Sequence, residues 1–244
     1  MNFSGISNES LIGKLLRAPF RLIPSSTVLP ILQGPLRGKK WIVGSSTLGC
    51  WLGSYEYEKA AAFAKAISPG DVVYDVGANA GFYTLLASIL CSDAGHVYSF
   101  EPLPQNVEFL RRHLAMNKIA NSTVIEAAVT DHDGREAFDA SSASTTAHLS
   151  PRGELMVRTV RLDSLVDQSE ILPPRVLKID IEGAELSALE GCAQTIRTCH
   201  PAIFLATHGA EVHRACLDFL ARHDYHFESL THENVESSAE LLAR

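Results

Sequence analysis

Between Val72 and Ala206 short apolar runs alternate with longer stretches of helical periodicity, with no internal sequence repeat. The runs are Val72–Val76, His96–Phe100, 123–128, 175–179 and Ala202–Ala206, and most are apolar on both faces, as strands buried in a parallel sheet are. Residues 80–91, 104–119, 185–198 and 210–223 carry the helical pattern, with Pro104 at the first-turn position that a helix tolerates. Alternation of this kind builds a mostly parallel sheet with helices on both faces, so the fold class is α/β. Residues 225–230 and 240–244 are predicted to close as an antiparallel hairpin, and 156–161 to form a further strand. A Ser-rich stretch, 141–150, reads as a loop over the strand ends.

Before this pattern begins, residues 8–18 place Leu11, Leu15 and Ala18 with Ile12 and Leu16 at helical spacing. Pro19, Pro24, Pro30 and Pro35 then forbid a long regular element, and an Ala-rich helix is predicted over 55–67. Lys14, Arg17, Arg21, Arg37, Lys39 and Lys40 against Glu9 alone give this head +5, leaving −12 for the rest of a chain whose net charge is −7. The expected organisation is a basic extension, 1–53, on one domain, 54–244. Such a head is a solvated amphipathic face, or an arm for a membrane surface or an acidic partner. At 244 residues one domain can bury a substantial core, and 46% hydrophobic with 20% charged residues excludes disordered and fibrous classes.

The acidic balance argues against a nucleic-acid footprint. Five cysteines, Cys50, Cys91, Cys192, Cys199 and Cys216, form no C-x-x-C pair, which fits structural thiols in a reducing cytosolic setting. Lys14 and Arg17 interrupt any signal-like apolar stretch, and no run is long enough for stable membrane insertion. A homodimer remains open.

The first strand turns into its helix through Asp75-Val76-Gly77-Ala78-Asn79-Ala80-Gly81. Glycines there let backbone approach a ligand, and the helix N-terminus faces the same crevice. The spacing is G-x-x-x-G, which matches neither a dinucleotide fingerprint nor a P-loop. The second strand ends in Phe100-Glu101-Pro102, where a carboxylate can accept the hydroxyls of a ribose. A nucleoside with a cationic tail and no phosphate suits both acids, and S-adenosylmethionine is that molecule. An N-cap for Asp75 and a solvent-facing strand end for Glu101 are the plain structural alternative.

Together with Trp51-Leu52-Gly53-Ser54-Tyr55-Glu56, Phe82-Tyr83-Thr84, Leu162-Asp163 and Lys178-Ile179-Asp180-Ile181-Glu182-Gly183, these stretches make the chain resemble the FkbM family of S-adenosylmethionine-dependent methyltransferases across residues 51–183. The resemblance implies a class I methyltransferase, Rossmann-like fold, a mostly parallel seven-stranded sheet with a terminal antiparallel strand. It also implies methyl transfer to a hydroxyl of a small molecule, sugar, polyketide or peptide natural product. Carried over, Asp75, Gly77, Asn79, Gly81, Tyr83 and Thr84 would line the methionine end of the cofactor, Glu101 with Pro102 the ribose, and Ala127 and Ala128 the adenine, while Tyr55 and Glu56 fold over the site.

Lys178, Asp180 and Glu182 alternate at a strand end, so they are expected on one face as catalytic residues, with Lys178 setting the charge of the two acids. An ion-pair network with Arg175 is the structural alternative. His208, after the fifth strand, is a second candidate base, at a place where the family pattern usually offers an acid. A divalent metal on Asp180 would replace a base, but no full oxygen-ligand set stands in the sequence. The rival functions are a nicotinamide-dependent oxidoreductase, disfavoured by the glycine spacing, and an inactive cofactor-binding module working through its basic arm.

Overall fold

The computed structural model describes residues 22–139, 148–149, 153–231 and 233–244. The predicted helix over 8–18, and the Ser-rich loop apart from residues 148–149, lie outside them. Chain order begins with a hairpin, β1 (Val28–Pro30) and β2 (Lys40–Ile42), and helices α1 (Leu48–Leu52) and α2 (Tyr57–Ala66). The alternation follows as β3 (Val72–Val76), α3 (Phe82–Leu90), β4 (His96–Phe100), α4 (Pro104–Met116) and β5 (Ser122–Ile125). Next come β6 (Ala128–Val129), β7 (Gly134–Asp139), β8 (His148–Leu149), β9 (Leu155–Val160), α5 (Leu162–Asp167) and β10 (Val176–Ile179). The remainder is α6 (Glu185–Glu190), α7 (Ala193–Cys199), β11 (Ala202–Ala206), α8 (Ala210–Ala221), β12 (Phe227–Ser229) and β13 (Glu240–Ala243).

Seven strands form the main sheet in the order β12-β13-β11-β10-β3-β4-β5. Five of them, from β11 to β5, pair in parallel, and β13 runs antiparallel to both β11 and β12. The chain leaves β3 toward β4 on one side and later returns as β10 on the other, so the crevice between β3 and β10 is the topological switch point where open α/β sheets bind ligands. Period-two side chains divide the core. Tyr74, Val76, Phe100, Leu177 and Leu205 face helices α5 to α8 through Leu165, Leu189, Ile196 and Phe219. Val73, Val97, Val176 and Phe204 face the opposite layer, where Phe63, Leu85 and Leu86 meet Ile31, Trp41, Trp51 and Leu52. The described part of the basic extension is therefore packed onto that core through Ile31, Leu36, Trp41, Trp51 and Leu52. Its hairpin is held by Trp51 Nε1, which donates to the Pro30 carbonyl, and by the Ile42 N–H, which donates to His113 Nε2.

Three expectations are corrected. Residues 123–128 do not form one strand: pairing with β4 ends at Ile125, the Ala127 N–H turns back onto the Ile125 carbonyl, and Ala128–Val129 joins β9 in a second sheet of order β6-β9-β7-β8. The helix over 185–198 breaks into α6 and α7 at Gly191, where a Cβ would collide with the Thr130 carbonyl. Helix α2 starts at Tyr57 because Glu56 adopts a left-handed conformation, φ 40°. Among the described residues no helix is long and apolar enough to cross a membrane.

Candidate active site

A cavity of about 270 Å³ opens beyond the carboxyl ends of β3 and β10. It is lined by the loop from Gly77 to Ala80 with Phe82 and Tyr83, and by Trp41, Ser46, Thr47, Cys50, Tyr55 and Glu56. Lys178, Asp180, Glu182, His208 and Glu240 complete it.

The glycine loop satisfies its own donors. The Gly77 and Ala78 N–H groups donate to the Phe100 carbonyl, Asn79 N–H to Glu101 Oε2, Ala80 N–H to Asn79 Oδ1 and Gly81 N–H to the Ala78 carbonyl. A phosphate cradle needs such groups free. Gly77, at φ +78°, also makes room for a neighbour, since a Cβ there would collide with the Asp180 carbonyl. Its absence is what brings the loop after β10 against the loop after β3.

Glu101 is 5% exposed and accepts from Asn79 N–H at 2.8 Å, Leu103 N–H at 3.0 Å and Asn106 Nδ2 at 3.1 Å. Burial pushes its pKa up, while those bonds and Lys178 pull against it. A carboxylate offers about four acceptor positions, so about one is left for a ligand hydroxyl.

Charge beside the cavity is organised around two buried lysines. Lys59, 3% exposed, meets Glu240 at 2.8 Å, Asp180 at 3.1 Å and Glu56 at 3.2 Å. Burial works to lower the Lys59 pKa, and Asp180, Glu56 and Glu240 overcome it, so the ammonium is held charged. Lys178 meets Asp75 at 3.1 Å, lies 3.9 Å from Asp180 and donates to the Gly77 carbonyl at 3.1 Å. Burial works to raise the Asp180 pKa, and Lys59, Lys178 and His208 overcome it, holding the carboxyl at about 2. Tyr83 presents its ring to both ammonium groups, at 5.7 and 5.2 Å, and its hydroxyl donates to Glu56 Oε2 at 2.8 Å. Burial and then Glu56 lift the Tyr83 pKa, so the hydroxyl stays a donor. His208 Nδ1 lies 2.7 Å from Glu185 Oε1. That bond raises the His208 pKa above the ordinary imidazole value; burial opposes it, and Glu182 and Asp180 reinforce it.

A family model described as the methyltransferase FkbM domain matches residues 75–227. The chain belongs to the FkbM methyltransferase family. Over 132 residues it is 31% identical to the hexuronic acid methyltransferase AglP of Haloferax volcanii, covering 52% of each chain. Over 159 residues it is 28% identical to the 31-O-demethyl-FK506 methyltransferase FkbM of Streptomyces tacrolimicus, covering 51% of this chain and 60% of the relative. The chain thus spans about half the length of the curated relatives it matches. A crystal structure of methyltransferase FkbM from Methylobacillus flagellatus KT superposes with a TM-score of 0.50 at 17% identity, covering 81% of this chain and 55% of the other, which is a likeness of fold.

Within this FkbM fold the four residues read as catalytic, Lys178, Asp180, Glu182 and His208, come together on the cavity, as do Tyr55, Gly77, Asn79 and Tyr83. Only Lys178 stands within β10; Asp180 and Glu182 lie in the loop that follows, since pairing ends at Ile179. Asp75, Gly81, Thr84, Glu101, Pro102 and Ala128 do not line it. Asp75 is fully buried behind Lys178 and accepts the Thr84 hydroxyl at 2.6 Å. Ala128 packs with Leu103, Phe138 and Val157, and Ala127 lies in the main core. The ion-pair network runs through Lys59, Glu56 and Glu240, while Arg175 is exposed. Lys59, Glu185 and Glu240 were missed. Lys59 carried a signal, lying four residues before the buried Phe63 on the apolar stripe of α2. Among the described residues no His, Cys, Asp or Glu group is arranged to hold a metal ion.

Proposed function

We propose that this chain is an S-adenosylmethionine-dependent methyltransferase acting on a hydroxyl of a small molecule, sugar, polyketide or peptide natural product. The glycine loop carries the reading: all five of its N–H groups from Gly77 to Gly81 are satisfied within the protein. A dinucleotide would compete with those bonds for its pyrophosphate, whereas a phosphate-free nucleoside leaves them intact. Glu56, Asp180, Glu182 and Glu240 at the cavity outnumber the lysines beside them, Lys59 and Lys178, and favour a ligand with a positive centre.

When bound, the cofactor supplies an electrophilic methyl group on a sulfonium. Glu101, which stands behind Asn79 and not on the cavity lining, would take a ribose hydroxyl at its remaining acceptor position, and Asn79 and Tyr83 would hold the methionine end. Trp41, Tyr55 and Phe82 give the cavity an aromatic lining from which water would be displaced. Alignment in such a cavity supplies about 7–11 kcal/mol, and a proton acceptor about 3–5 kcal/mol, from a 10²- to 10⁴-fold effect. Positioning therefore carries most of the rate.

Calorimetry with S-adenosylhomocysteine and with NAD tests the cofactor: binding of the first and not the second is expected, and the reverse overturns the reading. Mass spectrometry for the gain of one methylene then tests acceptors. The hexuronic acid methyltransferase relative makes a uronic acid the first to try.

A further inference from the structure

Resting on that reading, we propose that His208 Nε2 takes the proton of the acceptor hydroxyl and that Glu185 is the positioning residue that holds the imidazole for it. Glu185 is fully buried on α6, and its Oε1 accepts from His208 Nδ1 at 2.7 Å and from the Gly183 N–H at 3.0 Å. An ionised carboxylate only accepts, so Nδ1 carries the hydrogen, and in the neutral ring Nε2 keeps a lone pair. Nε2 faces the acids of the cavity, 3.7 Å from Glu182 Oε2 and 4.0 Å from Asp180 Oδ1. Neither carboxylate can donate to that lone pair. Asp180, held at about 2, is too weak a base to compete for the proton near neutral pH.

In the step itself the hydroxyl oxygen bonds the methyl carbon while the carbon–sulfur electron pair returns to sulfur. The O–H proton ends on Nε2, so ether, thioether and imidazolium balance the hydroxyl, sulfonium and neutral imidazole. Glu185 then stabilises the charge that forms. Its Oε2 is buried with no hydrogen-bond partner among the described residues, and a buried carboxylate in that state gains from a cation created beside it. The groups facing His208 are Glu185 from α6 and Asp180 and Glu182 from the loop after β10. On α8, the Cys216 thiol is pushed up to about 12 by burial and Glu185 and stays neutral. His213 is engaged with Thr207 and the Val235 carbonyl.

The test is nitrogen-15 NMR of the histidine rings in the full chain, with and without S-adenosylhomocysteine, joined to methyl transfer onto a panel of uronic acids and polyols. Expected for the wild type are the Nδ1–H tautomer and a His208 titration above pH 6.5. In Glu185→Gln the amide carbonyl still accepts from Nδ1 but the charge is gone, so the titration falls by about one pH unit, and the acid limb of the rate profile moves down with it. His208→Gln retains S-adenosylhomocysteine binding and loses about 10²- to 10⁴-fold in turnover. An Nε2–H tautomer, an unmoved titration in Glu185→Gln, or full turnover in His208→Gln overturns the assignment. The NMR arm needs no acceptor, and failure of the wild type to bind S-adenosylhomocysteine would instead strike the cofactor reading.

Discussion

Lys178 Nζ lies 3.1 Å from Asp75 Oδ1, and the two residues stand opposite each other in register on β10 and β3. Both are buried, so the pair joins the two strands at the switch point and, through the bond from Lys178 to the Gly77 carbonyl, braces the glycine loop.

Removing one partner leaves a buried charge uncompensated. Lys178→Met should lose about 3–5 kcal/mol in urea unfolding, whereas Lys178→Met with Asp75→Asn should recover most of it. Additive losses in that double-mutant cycle would show that the pair is not coupled.

Asp180 gives the fold a defined acid response. Its pKa in the folded protein, about 2, lies below the ordinary 3.8. Its contribution to stability is therefore complete above about pH 4 and is lost as pH falls toward 2. Thermal midpoints between pH 5 and 2 should fall less steeply in Asp180→Asn than in the wild type.

His113 acts in a different window. Its ring stacks on Trp41 at 3.8 Å, accepts from Ile42 N–H and bonds the Ala80 carbonyl, and burial holds its pKa down at about 4. A depressed imidazole stabilises the fold fully above about pH 6.5 and progressively less toward 4. The stability slope across that range should shrink in His113→Phe, which also leaves two backbone groups unpaired at about 1–3 kcal/mol each.

Glu101→Ala frees the Asn79 and Leu103 N–H groups and removes the remaining acceptor. Affinity for S-adenosylhomocysteine should drop about 10- to 100-fold, the scale of a charged hydrogen bond, with a smaller effect on saturated turnover. Unchanged affinity by calorimetry would defeat the ribose assignment.

The strands and the glycine loop were legible in the sequence because burial on both faces of a parallel sheet leaves apolar runs that need no knowledge of partners. The ends of those runs were not. Ala127 and Ala128 look like more strand, yet the turn onto the Ile125 carbonyl sends them into the second sheet. Lys178, Asp180 and His208 were found because they sit at strand ends, where position alone implies the cavity. Lys59, Glu185 and Glu240 were not, because each is a charged residue that looks solvated until three other elements close around it. Glu240 reaches the site through its register opposite Ala206, which only the β11 and β13 pairing creates. Gly77 carried the right signal with an incomplete reason, since its bare Cα accommodates the Asp180 carbonyl as well as a ligand.

A loop whose donors are already engaged from Gly77 to Gly81 has one further property. Its shape does not wait for an occupant, so association there would lose little conformational entropy.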